Sequence, residues 1–281
     1  MIKKTVWMED EEELNFVNKH YLLFSDYNKK YSTHELMKDY KTESIIRFLY
    51  DSNKYEGTMP KVRNSDTQEI LRKAFRENDY NPQIEEDKVW NCDGYFNGQE
   101  KVQMVRHFKA KMFLSNKVNL EVQDIINAHH ILMEGAVKTD GTRINTGMLH
   151  QTNCYSAGTD HIYPPPHILE QGLKKILQRY NEKKQSVDPV EVAADIFYDF
   201  VSLHPFEDGN GRIARLLASH ALESTGTPFA VTILTPHSRS RRHIIRAIRK
   251  REKNYHNKEL FTIVASSLAY QWQNFLQWSS L

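Results

Sequence analysis

The chain reads as an all-α protein. Apolar residues recur at intervals of three and four through most of its 281 residues, the spacing that lines one face of a helix. Helix-start and helix-stop residues flank those stretches. Only one segment, residues 141–166, carries too much glycine and proline to continue the pattern.

The elements follow in order. Ile45, Ile46, Leu49 and Tyr50 mark a helix that Gly57 ends from the C′ position. Val102, Val105, Phe108 and Met112 form a second stripe; Val122, Ile125, Ile126, His129 and Met133 form a third that stops at Gly135. His129 lies on that apolar stripe, so a satisfied, structural imidazole is expected there. Gly141, Gly147, Gly158 and the run Pro164-Pro165-Pro166 then predict a long loop, of a length that usually carries function. Ile168, Leu173, Ile176, Leu177 and Tyr180 restart a helix. In Asp188-Pro189-Val190-Glu191 the Asp is an N-cap, the Pro sits at N1 and the Glu at N3. The stripe Val190, Ala194, Phe197 and Val201 carries that helix to His204. From Arg212 the chain is helical again, through Ile213, Leu216, Leu217, His220 and Ala221. Arg242, Arg246, Arg249 and Lys253 repeat at 4,3,4 spacing and predict one basic helix face, with Ile244, Ile245 and Ile248 elsewhere on the helix. Phe261 to Phe275 gives a final apolar and aromatic helix.

Composition bounds the function. With 38 basic and 36 acidic residues the net charge is +2, so no global field calls for nucleic acid or membrane as partner. Two cysteines, Cys92 and Cys154, make neither a metal spacing nor a disulfide framework, which points to a reducing compartment. Residues 9–13 are an unbroken acidic run where a signal peptide would need an apolar stretch, and no apolar segment is long enough to span a bilayer. The expectation is a soluble, intracellular, cytoplasmic chain. No repeat or low-complexity segment interrupts it.

The chemistry is concentrated in His204-Pro205-Phe206-Glu207-Asp208-Gly209-Asn210-Gly211-Arg212, continued by Ile213-Ala214-Arg215. Two glycines free the backbone to expose its N–H groups just where a helix begins, which makes an anion site. Asp208 supplies a hard oxygen for Mg²⁺, an ion normally held by one or two carboxylates plus phosphates and water. His204 is the group suited to move a proton near neutral pH. A turn that merely joins two helices explains the glycines but not the accompanying His, Asp and two Arg.

This run resembles, position for position, the HPFx(D/E)GNGRxxR motif of the Fic/Doc proteins. The resemblance implies a Fic-like helical bundle with a short β-hairpin flap. It also implies transfer of AMP from ATP to a Ser, Thr or Tyr hydroxyl of a protein. By that likeness His204 is the general base, Asp208 the metal ligand, and Gly209, Asn210 and Gly211 hold phosphates through their amides and the Asn side chain. Arg212 and Arg215 take the polyphosphate. The flap falls near residues 152–163, and the catalytic domain over 96–281, behind an N-terminal helical region, 1–95. The chain departs from the family at Leu149-His150, where many members have an aromatic-Arg pair, so no catalytic role is carried over to His150 or His161. It departs again at Arg242, His243 and Lys250, which stand where many members have aromatic and Asn residues beside the adenine. Doc-like phosphate transfer is disfavoured, because Doc proteins carry Lys where this chain has Gly211.

Further upstream, Ser52-Asn53-Lys54-Tyr55-Glu56-Gly57 resembles the family's autoinhibitory pattern (S/T)xxxE(G/N). There the Glu pairs with the second Arg of the motif and occupies the place of the ATP γ-phosphate. The implied pair is Glu56 with Arg215, and Ser52 and Gly57 complete the pattern. The expected partners are ATP, an unidentified protein substrate and the chain itself through automodification; AMP removal by the same site and homo-oligomerisation stay open. The competing reading is a non-catalytic interaction protein that binds nucleic acid or an acidic partner through the basic helix 239–253.

Overall fold

The computed structural model describes residues 11–57, 72, 98–138, 141–155, 161–233, 240–254 and 258–280. Among these, the helices are α1 Glu11–Tyr31, α2 Glu35–Tyr55, α3 Gly98–Ser115, α4 Val122–Met133, α5 Pro166–Lys183, α6 Pro189–Leu203, α7 Asn210–Ser224, α8 Ser240–Asn254 and α9 Lys258–Ser279. The all-α expectation holds. The expected boundary near residue 95 lies outside the described residues.

The bundle is built around α7. Ile213, Ala214, Leu216, Leu217, Ala218, Ala221 and Leu222 are all buried, so this helix is apolar nearly all round, as a central helix must be. Its main neighbour is α6; α5 covers α6 from the far side, and α3 and α4 pack on each other and on α7. Across the other side α9 spans α6, α8, α2 and α1. Trp272 anchors that layer, with ring centroids 4.7 Å from Phe229 and 5.3 Å from Tyr27. Helix α1 lies in the region 1–95 expected to be helical, although no apolar stripe was named for it. It packs on α9 through an aromatic stripe, with Phe16 on Tyr270 at 4.8 Å and Tyr21 edge-on to Phe261 at 5.5 Å.

Two ends of helices decide where the site sits. Asp188 caps α6, its Oδ1 accepting from the N–H groups of Val190 and Glu191 at 2.8 and 3.3 Å. Its other oxygen accepts from the Tyr21 hydroxyl at 2.7 Å, so the cap also ties α1 to the start of α6. At the far end His204 is the C-cap, in the left-handed region at φ 50° and ψ 55°. No other non-glycine residue among those described has positive φ. That conformation costs about 1–2 kcal/mol for an L-residue and turns the chain sharply out of α6 and into the loop 205–209. The next helix starts at Asn210 rather than at Arg212, because Gly209 at φ 78° is already the N-cap and its carbonyl accepts from Ile213 N–H at 3.0 Å.

Asp188→Ala removes both the cap and the inter-helix bond. It should lower the unfolding free energy by about 1–2 kcal/mol, read as a lower urea midpoint with unchanged slope. Asp188→Asn should retain most of the stability.

Candidate active site

The loop between α6 and α7 is fastened by its own residues. Asn210 is buried, and its side chain is spent on one residue: Oδ1 accepts from Phe206 N–H at 3.0 Å and Nδ2 donates to Phe206 C=O at 2.7 Å. The Asn210 side chain thus closes the loop from inside. Phe206 is stacked flat on His129, centroids 3.7 Å apart and planes 4° from parallel. His129 then joins three segments. Gly147 N–H donates to its Nδ1 at 2.9 Å, which leaves the proton on Nε2, facing the Asp208 carbonyl at 3.0 Å. Burial pushes this imidazole down to about 4, against the opposing pull of the Asp208 carbonyl. The expected structural histidine is thus a neutral brace under the loop.

Asp208 stands exposed at the mouth. Its Oδ1 accepts from Gly209 N–H at 2.6 Å, and no described residue bonds Oδ2. No group of three or more His, Cys, Asp and Glu side chains gathers among the described residues. A single outward carboxylate beside an anion-binding helix start suits Mg²⁺, which takes its remaining oxygens from phosphates and water.

His204 is held as a neutral imidazole. Its Nδ1 faces the Val201 carbonyl at 3.4 Å; a carbonyl can only accept, so the proton sits on Nδ1 and the Nε2 lone pair is available. Burial pushes the imidazole down to about 4, with Val201 opposing and His150 adding to the fall. Tyr163 lies flat on the ring, centroids 3.7 Å apart, and fixes its plane. Sequence reasoning gave Tyr163 no role; nothing in spacing shows that the end of the loop folds back over the base.

The flap region is tied to the motif from below. His150 is buried; its N–H donates to Pro205 C=O at 2.9 Å and its Nδ1–H to Thr152 C=O at 2.7 Å. Tyr155 and Ile162 form an antiparallel bridge, with Tyr163 N–H on Cys154 C=O at 3.0 Å; residues 156–160 of the expected hairpin lie outside the described residues. Tyr155 and Ile162 are both exposed.

The two motif arginines differ. Arg215 is buried and held by α2: Nε donates to Ser52 Oγ at 2.8 Å, and one Nη to Ser52 C=O at 3.3 Å and to Glu56 Oε1 at 2.5 Å. The Tyr55 ring lies 4.8 Å from its Cζ. Arg212 is equally buried, yet its partners are Met133 Sδ at 2.9 Å and Gln103 Oε1 at 3.4 Å, and its Nε meets no partner among the described residues. Burial pulls its guanidinium below the usual range; Asp208 and Glu56 oppose that, and Arg215 adds to it. Gly211 explains how Glu56 gets in. A Cβ at 211 would stand 2.7 Å from Glu56 Oε1, so only glycine lets the carboxylate rest against the first turn of α7, where helix N–H groups and dipole favour an anion. The structure therefore brings Ser52, Glu56, Asp208, Gly209, Gly211, Arg212 and Arg215 around one helix start. Gly57, at φ 72°, ends α2 beside it.

Comparison with known proteins identifies the family. The sequence profile of the Fic/DOC family matches residues 119–222. A Fido domain-containing protein of Dictyostelium discoideum is 30% identical over 138 residues, which are 48% of this chain and 95% of that protein. This chain belongs to the Fic/DOC family. It is also 30% identical over 125 residues to protein adenylyltransferase fic-1 of Caenorhabditis elegans, and 31% identical over 116 residues to protein adenylyltransferase Fic of Drosophila melanogaster. Those matches cover 44% and 41% of this Fic chain but only 23% and 22% of the two relatives' lengths. The fold is shared with a Fic domain containing signaling protein from Bacteroides thetaiotaomicron, at TM-score 0.68 and 18% identity over 91% of this chain and 93% of that one. It is shared also with Fic-1 (residues 134–508) of C. elegans, at TM-score 0.67 and 19% identity over 95% of this chain and 72% of that one. No helix among the described residues of this Fic protein is long and apolar enough to cross a membrane.

His129 and His204, both held near 4, set a pH dependence of stability. Above pH 6.5, the ordinary histidine value, both are neutral folded and unfolded and contribute nothing. As pH falls from 6.5 toward 4 only the unfolded chain takes up the protons, so stability falls, by up to about 1.4 kcal/mol per pH unit for each group. Urea midpoints at pH 7 and pH 5 should show the loss, and His129→Gln should show a smaller one.

Proposed function

We propose that this Fic protein is an autoinhibited protein adenylyltransferase. The observation that carries the reading is the Glu56 carboxylate lying on Arg215 at 2.5 Å and against Gly211 at the start of α7: an anion site filled by the chain's own carboxylate. Two relatives named protein adenylyltransferase support the chemistry. In this reading the target hydroxyl oxygen attacks the α-phosphorus of ATP, the bond to the β-phosphate oxygen breaks and pyrophosphate leaves. His204 Nε2 takes the hydroxyl proton. Arg212, buried and short of oxygen partners, and Arg215, once Glu56 withdraws, hold the polyphosphate with the first-turn N–H groups of α7. Asp208 would hold Mg²⁺, which when bound neutralises phosphate charge. Tyr155 and Ile162, exposed on paired flap segments, would receive the target's backbone as an added strand.

Glu56→Gly tests the brake. Breaking the carboxylate–guanidinium bond, worth roughly 1.5–3 kcal/mol, should no longer precede productive ATP binding, so transfer of label from α-labelled ATP should rise roughly 10–100-fold. Arg215→Ala breaks the same pair and should not activate, because the freed guanidinium is itself needed for phosphate. An unchanged Glu56→Gly protein that folds and binds ATP removes the regulatory role. Absence of protein-bound label from that variant removes the enzyme reading in favour of an interaction protein. Loss of label from a preloaded acceptor in the same assay would show AMP removal.

His204→Ala should lower transfer by about 10²–10⁴-fold while ATP binding survives, since the proton moves only in the transition state. With His204 held near 4, the acid limb of kcat/KM should lie below about pH 5 rather than near the ordinary histidine value of about 6.5. A limb at 6.5 would mean that the base titrates as an exposed imidazole.

A further inference from the structure

Helix α8 carries charge that the fold does not use. Its inner side is mounted on the bundle: Ile244 and Ala247 are buried, Arg251 donates to Asp195 of α6 at 2.9 Å and lies 4.0 Å over the Tyr198 ring, and Lys250 pairs with Glu259 of α9. Arg242, Arg246, Arg249 and Lys253 are exposed, and no ion pair joins them to any described residue. They recur at steps of four, three and four, so they form one ridge about 16 Å long at 1.5 Å per residue. Like charges at these spacings repel. The N-terminal half of the helix adds to the strain, since its first turn holds no acidic residue while Arg242 faces the positive end of the helix dipole. The ridge makes no ion pair with the described residues of the bundle, and of its four cations only Lys253, in the last turn, meets the favourable end of the helix dipole.

The expected placement of Ile245 was away from this face. Instead it is 39% exposed and lies among the cations, in a groove of 460 Å³ lined by Arg242, Ile245, Arg246, Arg249, Lys250 and Lys253. That combination selects a partner. Single-stranded nucleic acid binds on aromatic platforms, and no aromatic residue lines the groove. Duplex binding draws on a strongly basic surface, whereas the whole chain is only +2. An anionic membrane would need the helix's apolar side exposed, and that side is buried.

We propose that the outer face of α8 docks an acidic peptide segment of a partner protein, its carboxylates spaced along the ridge and one aliphatic side chain set against Ile245. The proposal stands on the unpaired charges and not on AMP transfer, so each reading can fail without the other.

The probe is a fluorescein-labelled peptide with glutamates on both sides of a central leucine, titrated with the full chain and followed by anisotropy. The wild type should bind, with affinity falling steadily as salt rises. Arg246→Glu/Arg249→Glu should weaken binding at least tenfold, and the neutral pair Arg246→Gln/Arg249→Gln by an intermediate factor, each with the helical circular dichroism of the wild type. Replacing the leucine of the peptide by serine should weaken binding, and Ile245→Ser in the protein should remove that difference. No binding at low salt, or binding that the charge reversal leaves intact, overturns the proposal. Tighter binding of an oligothymidylate or of phosphatidylserine vesicles through Arg246 and Arg249 assigns the ridge to another polyanion and overturns it. Displacement of the peptide by ATP makes the groove part of the nucleotide site and overturns it as well. So does self-association that the charge reversal abolishes, which would make a second copy the occupant.

Discussion

A guanidinium as deeply buried as that of Arg215 must be paired, and the rest of this structure follows from how it is paired. Arg215 projects from the first turns of α7, the central helix, and is 2% exposed. Its Nε and one Nη are bonded by a second helix, α2, whose Ser52 contributes a hydroxyl and a carbonyl and whose end carries the Glu56 carboxylate. This fixes the register of α2 against α7 to one solution. It also forces Glu56, four residues after Ser52 and hence on the same face, onto the helix start that the motif glycines keep open.

The loop beneath is overdetermined in the same sense. Asn210 closes it from inside by holding both polar groups of Phe206, His129 closes it from below, and His204 enters it through a strained left-handed residue. Strain of this kind persists only where the surroundings leave no alternative. Here the result is that three groups face one opening without depending on one another's side chains: the lone pair of His204, the carboxylate of Asp208 and the first-turn N–H groups of α7. The asymmetry between the arginines belongs to the same design. Arg215 is satisfied by protein oxygens, while Arg212 is left with a thioether sulfur, a long amide bond and one unpartnered N–H. Asp208 and Glu56 oppose the effect of burial on the Arg212 charge.

What the sequence made legible was whatever depends on nearest neighbours along the chain. The cap at Asp188, the stop at Gly135 and the stripe of α6 obey local rules, and those rules were enough for helix order and for placing His204 at a helix end. The pairing of Glu56 with Arg215 bridges 159 residues; only the resemblance of two short motifs to a family could suggest it. The bonds of Asn210 to Phe206 were not legible, because an amide that can reach phosphate can equally bond the backbone four residues earlier, and only the turn geometry chooses. Helix α1 was legible but unread: Leu14, Val17, Tyr21 and Phe24 keep the helical step, yet acidic and basic residues crowd between them and its apolar side is largely aromatic. Ile245 was put on the wrong face because three isoleucines within five positions cannot all lie on one side of a helix, and the pattern alone does not say which is left out.

The contacts that hold α2 in place are unequal in what it takes to break them. Ser52 and Asn53 are fully buried, and Asn53 also donates to Leu49 C=O and contacts His107 at 2.8 and 2.9 Å. Further back Tyr40 reaches the Gln271 carbonyl, and Ser44 accepts from Ala230 N–H. Glu56 lies past the last helical residue, as the C-cap, with Gly57 in the left-handed region directly after it. Helix ends open at a small fraction of the global stability, so the carboxylate can leave Arg215 by fraying or by a rotamer change while Ser52 keeps its hold on the guanidinium. Arg215 would then stay anchored through Nε and turn only its outer nitrogens toward a phosphate. The Glu56 contact and the docking of its helix are thus separable: the four-residue step from Ser52 to Glu56 divides a fully buried contact from one at a helix end.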